Sequence, residues 1–247
     1  MRISFDSNAW ETVFEAADTH HAPIRAALQE RRFEGFICAA AFRIEAITRK
    51  ARTAYFAQPH MDVRFGVVPM GNGKSSLKGS IGPDNNRHPG LPAIQTEKLR
   101  RALGVGIKLM YGGNWMGLPE PPEIRDRSHY VHEEADEARD REERQLRASA
   151  EIAARGVGQA AFEAANGWTD RARTSVKAKQ LIRACAEWAD GELVEAHIAY
   201  RNDLLCTNDF AKGSGRSIFD STNRAWLAQR YGVTFLTLDE LIAKVTP

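Results

Sequence analysis

Arg2-Ile3-Ser4-Phe5-Asp6-Ser7-Asn8 is the stretch on which the fold turns. Apolar Ile3 and Phe5 and a closing carboxylate read as a short strand ending in Asp6. A helix follows at once: Asn8 is placed to cap it, with Glu11 three residues on in the capping-box position. Trp10, Val13, Phe14 and Ala17 then recur at helical spacing. The same grammar returns near the other end, where Asp203 to Thr207, with Leu204, Leu205 and Cys206 in succession, reads as a buried strand followed by Asp209. In open α/β sheets, ligands bind beyond the carboxyl ends of the strands. If these two strands are neighbours, Asp6 and Asp209 converge at one crevice.

Between them, Pro23 opens a second helix through Ile24, Ala27 and Leu28, and Phe36 to Ala40 reads as a second strand. A third helix is expected to carry Phe42, Glu45, Ile47 and Ala51. Residues 58–92 are punctuated by Pro and Gly into loops, with one strand at Val63 to Val68. Thr96 to Leu103 predicts a helix and Ile107 to Tyr111 a strand. The charged run from Val131 to Arg155 predicts a helix standing in solvent as an arm. Two helices are expected around Val176–Trp188 and Leu193–Ala199, then a helix at Asn223–Tyr231, a strand at Val233–Thr237 and a closing helix from Leu238 to Val245. Strands alternating with helices at both ends predict α/β/α layers about a mainly parallel sheet. The core is expected from 1–57 and 180–247, with 58–179 as a large insertion.

A length of 247 residues accommodates one well-filled domain with such an insertion, and the hydrophobic fraction of 43% excludes a fibre or wholesale disorder. Cys38, Cys185 and Cys206 form no C-x-x-C pair, so they are expected as buried reduced thiols rather than zinc ligands or disulfides. No basic-then-apolar leader and no run of about 18 apolar residues is present, which predicts a soluble cytoplasmic protein with no membrane partner.

The motifs also carry a family resemblance. Ile3-Ser4-Phe5-Asp6-Ser7-Asn8 resembles the opening of PIN-domain nucleases, whose first strand ends in Asp-Ser/Thr-Asn. Phe36-Ile37-Cys38-Ala39-Ala40 followed by Ile44-Glu45-Ala46 is similar to their second strand and the helix bearing a metal-binding Glu. Leu204-Leu205-Cys206-Thr207-Asn208-Asp209-Phe210 resembles their strand ending in Thr-x-Asp, and Val233-Thr234-Phe235-Leu236-Thr237 their terminal strand. The family's third acid sits early in the preceding helix, with small residues one and two turns on. Glu192, followed by Ala196 and Ala199, matches best, and Glu195 is the competitor. A Glu here departs from the family's usual Asp.

The resemblance implies a metal-dependent ribonuclease. Asp6, Glu45, Glu192 and Asp209 would hold Mg²⁺ or Mn²⁺, and Asn8 and Thr207 would orient them. The substrate it implies is RNA, with single-stranded DNA as an alternative. An inhibitor or antitoxin protein and a second copy of the chain are the partners it leaves open. The rival reading is a catalytically silent PIN-like module that binds RNA or a partner protein.

Charge supplies a candidate substrate surface. Arg49, Lys50, Arg52, Arg64, Lys74, Lys78, Arg87, Lys98, Arg100, Arg101 and Lys108 face only Asp62, Asp84 and Glu97 in the same segment. Such an excess is what a polyanion requires, and Lys74 and Lys78 are its expected contacts. Tyr55, Phe56 and Phe65 are more simply core than base-stacking rings. His197 reads as a satisfied partly buried residue, and His129 and His132 as surface residues. Gly71-Asn72-Gly73-Lys74-Ser75 lacks the first Gly of a phosphate loop and reads as a basic turn.

Overall fold

The structure, a computed structural model, describes residues 1–56, 61–71, 74–113, 117–166, 175–211 and 216–246, with the side chains of 61–69 and some further hairpin residues, Lys78 among them, outside that set. β1 (Arg2–Phe5) lies at the centre of a five-stranded sheet. On one side stand β2 (Glu34–Cys38) and β5 (Lys108–Met110), on the other β6 (Leu204–Cys206) and β7 (Thr234–Leu236), in the order β5-β2-β1-β6-β7. Every pairing is parallel, and Phe5 stands in register with Ile37 and Cys206. An all-parallel sheet needs cover on both faces, and the strands meet that need by alternation. Ile3, Phe5, Ile37, Leu109 and Cys206 point into one core, with Trp10, Ile24, Leu99 and Leu241. Phe36, Cys38, Met110 and Leu205 point into the other, with Ile152, Trp188, Leu193 and Leu227.

The first core is roofed by α1 (Ser7–Val13), α2 (Ala22–Gln29), α4 (Ala93–Gly104) and α9 (Leu238–Val245). The second is roofed by α5 (Ala135–Ala154), α6 (Gln159–Ala164), α7 (Ser175–Ala199) and α8 (Ser221–Tyr231). The layers are therefore helix, sheet, helix. α3 (Arg49–Phe56) puts Tyr55 and Phe56 into the core, as their sequence reading expected.

Three boundaries differ from expectation. The segment 58–179 is not wholly an insertion: β5 is an edge strand of the main sheet, α4 packs beneath it, and α5 and α6 pack on α7. Among the described residues only β3 (Met61–Gly71) and β4 (Lys74–Pro83) form a sheet of their own, an antiparallel pair whose register runs from Met61 with Pro83 to Gly71 with Lys74. Nor is α5 a solvated arm, because Arg141, Gln145, Ala148 and Ile152 are buried along one side of it. Lastly, the two helices expected around 176–199 are one 25-residue helix. Gly191 does not break it. A Cβ there would come within 2.7 Å of the Gly158 Cα, so the glycine allows α7 to pass close to the turn before α6.

The expected helix around Glu45 also takes a different form. Residues Ala41–Glu45 make one wide turn, closed by the Ala46 amide donating to the Ala41 carbonyl, and α3 begins only after it. Buried Arg52 binds this turn from within: its guanidinium donates to the carbonyls of Glu45 and Ile47, and to Ile182 of α7.

Candidate metal centre

Asp6 leaves the end of β1 with its side chain almost wholly buried. It is Asp6, not Asn8, that caps α1: the Ser7 amide donates to Asp6 Oδ1 over 2.6 Å. Asn8 is exposed and lines a separate groove with Glu11 and Lys98, and among the described residues no hydrogen bond joins its side chain to Asp6, Glu45 or Asp209. The Ser7 hydroxyl, by contrast, donates to the Glu45 carboxylate.

β6 runs directly beside β1, which brings its Thr-x-Asp end to the same place. The Thr207 hydroxyl donates to Asp6 Oδ2 over 2.9 Å and accepts from the Asp209 amide over 3.0 Å. One hydroxyl thus links the Asp6 carboxylate to the backbone amide of Asp209. Asp209 is half-buried, accepts from the Ala211 amide over 2.6 Å, and its carbonyl receives the Arg224 guanidinium.

The third acid is where the sequence reading fails. Glu192 is not free to join the others: its Oε2 receives Arg43 Nη2 over 2.7 Å, with both side chains buried. Glu195 is also buried elsewhere, and one of its oxygens has no hydrogen-bond partner among the described residues. The acid that faces the crevice is Asp190. Two residues along a helix turn a side chain by about 200°, so Asp190 and Glu192 point to nearly opposite faces of α7. Asp6, Ser7 and Asp190 together line one cavity of about 10 Å³.

The electrostatics show which carboxylates feel one another. Burial raises Asp6 to about 6, against the lowering pull of its bonds from Thr207 and Ser7, and the Asp209 charge adds to the rise. Burial and then the Asp6 charge push Glu45 up to about 7, while the Ser7 bond pulls it down. Asp190 is lifted well above the carboxylate range by desolvation and then by the charges of Asp6, Glu45, Glu187 and Asp209. Glu187 is already spent, accepting from the amides of Gly158 and Ile218. Asp6, Glu45 and Asp190 therefore feel one another's charge, and the Arg224 guanidinium acts on Asp6 in the opposite sense.

No family model, curated protein or solved structure matches the chain. Its chemistry must be argued from these side chains alone.

The donor set fits a hard divalent cation in kind: carboxylate oxygens, of which those of Asp6, Glu45 and Asp190 are held at raised proton affinity by burial and then by neighbouring acids, which a cation would relieve. In arrangement it is open. Among the described residues no three His, Cys, Asp or Glu side chains stand close enough to ligate a single ion as they lie.

The expected basic surface disperses. Lys98 pairs with Glu15, Arg87 with Asp84, and Arg100 and Arg101 with Glu97. Arg52 is structural, and Lys108 lies at the other end of the sheet. Lys74 is exposed on the hairpin, while the Lys78 side chain is outside the described residues. His197 is buried, with Nδ1 2.9 Å from the Ser4 hydroxyl. His132 is exposed and His129 half-buried beside Asp126. All three cysteines are buried free thiols. No helix among the described residues is long and apolar enough to cross a membrane.

Proposed function

We propose that the chain is a metal-dependent endoribonuclease of PIN-like type, with Asp6, Glu45, Asp190 and Asp209 holding Mg²⁺ or Mn²⁺. The observation that carries this reading is geometric: the adjoining carboxyl ends of β1 and β6 bring Asp6 and the Asp209 segment together through Thr207, with Asp190 lining the same cavity as Asp6 and with Ser7 bonding Glu45. Taking Asp190 in place of Glu192 also supplies an Asp as the third acid. When bound, the metal would polarise a water for attack on phosphorus and neutralise charge on the phosphodiester. The chain's own part is positioning. Thr207 and the Ser7 amide hold Asp6, the Ser7 hydroxyl holds Glu45, and the wide turn fixed by Arg52 sets where Glu45 emerges. Arg224, near Asp209, is placed to meet the negative charge of an incoming phosphate. Lys74 and Lys78 extend the reading to RNA further along the strand.

The silent-module alternative is favoured by one observation, the lack of a preformed three-ligand cluster among the described residues. Cleavage of a mixed RNA pool with Mg²⁺, Mn²⁺ or EDTA separates the two. The nuclease predicts metal-dependent cleavage that falls at least 100-fold in folded Asp6→Asn and Asp190→Asn. No cleavage of RNA or single-stranded DNA by folded wild type would leave the binding module. Charge reversal at Lys74 and Lys78 should weaken RNA binding and flatten its salt dependence.

A further inference from the structure

A cavity of about 1100 Å³ opens at the opposite end of the sheet, where Arg2, Glu34 and Lys108 begin their strands. Four residues of β1, at about 3.3 Å rise each, separate this end from Asp6, and none of the four acids above lines the cavity. Its size is at the upper end of small-molecule clefts.

The lining combines cations with rings. Tyr111 and Tyr130 stack with centroids 4.4 Å apart, and the Arg127 guanidinium lies 5.0 Å over Tyr130. Glu120 holds Arg127 by two hydrogen bonds, at 2.8 and 3.3 Å, which neutralises its charge but leaves a flat, fixed surface. Such a face stacks well on an aromatic base. Arg2 and Arg141 are likewise paired, with Glu34 and Glu133.

Arg31 and Lys108 differ. Neither forms an ion pair with the described residues, and the Lys108 ammonium reaches only the Ser128 carbonyl, at 3.1 Å. Arg31 follows the end of α2 with φ of 56°, a left-handed position where Gly or Asn is the usual and cheaper choice. The chain thus carries a side-chain cation there at a conformational cost. Two uncompensated cations and a stacking face on one concave wall match an anion attached to a flat ring.

We propose that this cavity binds a nucleotide, its base on the Arg127 face and its phosphate between Arg31 and Lys108. The site stands apart from the acids and does not depend on the nuclease reading.

The test is calorimetric titration of the full chain, in EDTA so that no metal can bridge a phosphate to the acids. AMP, GMP, CMP and UMP are compared with adenosine and inorganic phosphate. Saturable binding of at least one nucleotide is expected, stronger than that of adenosine or phosphate. Lys108→Glu and Arg31→Glu should each weaken it at least 10-fold, and Asp6→Asn should leave it unchanged. Lys108 is exposed at a strand start, so its variant keeps the test decisive if Arg31→Glu does not fold. No saturable binding of any nucleotide, or equal binding of bare phosphate, would overturn the proposal. So would binding that survives Lys108→Glu.

Discussion

Arg43 and Glu192 close an ion pair of 2.7 Å inside the packed contact between the wide turn and α7, with both side chains at 3% exposure or less. Gly112 covers the pair so closely that a Cβ there would collide with both partners. Removing Glu192 leaves the buried Arg43 charge only Glu120, at 3.9 Å, among the described residues, and losing one partner of a buried pair costs about 3–5 kcal/mol. Glu192→Gln should therefore destabilise the protein by roughly that amount in urea melts. Exchanging both, as Arg43→Met with Glu192→Leu, should recover most of the loss. RNA cleavage per folded molecule should change little in the double variant, since Glu192 does not face the crevice.

Asp190→Asn should behave in the opposite way. Its carboxyl is raised by burial and then by the charges of Asp6, Glu45, Glu187 and Asp209, so neutralising it relieves both desolvation and repulsion. The variant should melt at or above the wild-type temperature at pH 8 while losing metal-dependent cleavage. A variant less stable than wild type at that pH, with full activity, would remove Asp190 from the centre.

The pH dependence has two opposed parts. Asp6 is held at about 6 against 3.8 unfolded, so the folded state binds its proton more tightly. Its stability contribution is present at low pH and is lost as pH rises from about 4 through 6, by on the order of 3 kcal/mol at most. His197 is depressed by burial to about 4 from 6.5, so the folded state resists its protonation. That contribution is present above pH 6.5 and is lost as pH falls through 4. Chemical denaturation of metal-free protein should show Asp6→Asn gaining about 1–3 kcal/mol at pH 8 and nothing at pH 4. His197→Gln should lose its difference from wild type only on the acid side.

Divalent metal should reverse the first of these effects. Binding to the folded state alone at 100 times Kd adds about 2.7 kcal/mol, or roughly 5–10 °C in Tm for a chain of this size. Thermal melts at pH 8 should rise with Mn²⁺ or Mg²⁺ in wild type and not in the Asp6→Asn, Asp190→Asn double variant. Equal shifts in both would place the metal elsewhere.

These outcomes bear on what could be read from residues alone. Asp6 and Asp209 were legible because each closes a short apolar run, and a strand end is a local property. Glu45 was marked by the resemblance of Phe36 to Ala40 and Ile44-Glu45-Ala46 to a family motif rather than by any local pattern. Asp190 was not, because Asp190-Gly191 reads locally as the break between two helices. The helix runs on through Gly191, whose missing side chain answers to close packing on Gly158, a residue distant in sequence. Composition misled in the same way for the segment 49–108. Asp84 and Glu97 enter the charge count, but the count does not show that these two acids pair with Arg87, Arg100 and Arg101 one turn away, and nothing local marks Arg52 as buried. In α5, buried Arg141 and Gln145 disguised the inner face as a solvated one.

Gly191 itself provides the last prediction. In a helix interior, Ala is better than Gly by about 1 kcal/mol, so propensity alone makes Gly191→Ala stabilising. Packing argues the other way. The new methyl would sit 2.7 Å from the Gly158 Cα, and Gly158 has φ of 63°, a backbone that cannot easily move aside. Overpacking against backbone costs about 1–3 kcal/mol, so the net effect should be destabilising. Asp190 is the adjacent residue, and a displaced helix would carry its carboxylate away from Asp6. Urea melts and metal-dependent cleavage measured on Gly191→Ala should therefore fall together. A stabilised variant with unchanged cleavage would show that α7 does not need its close approach to Gly158.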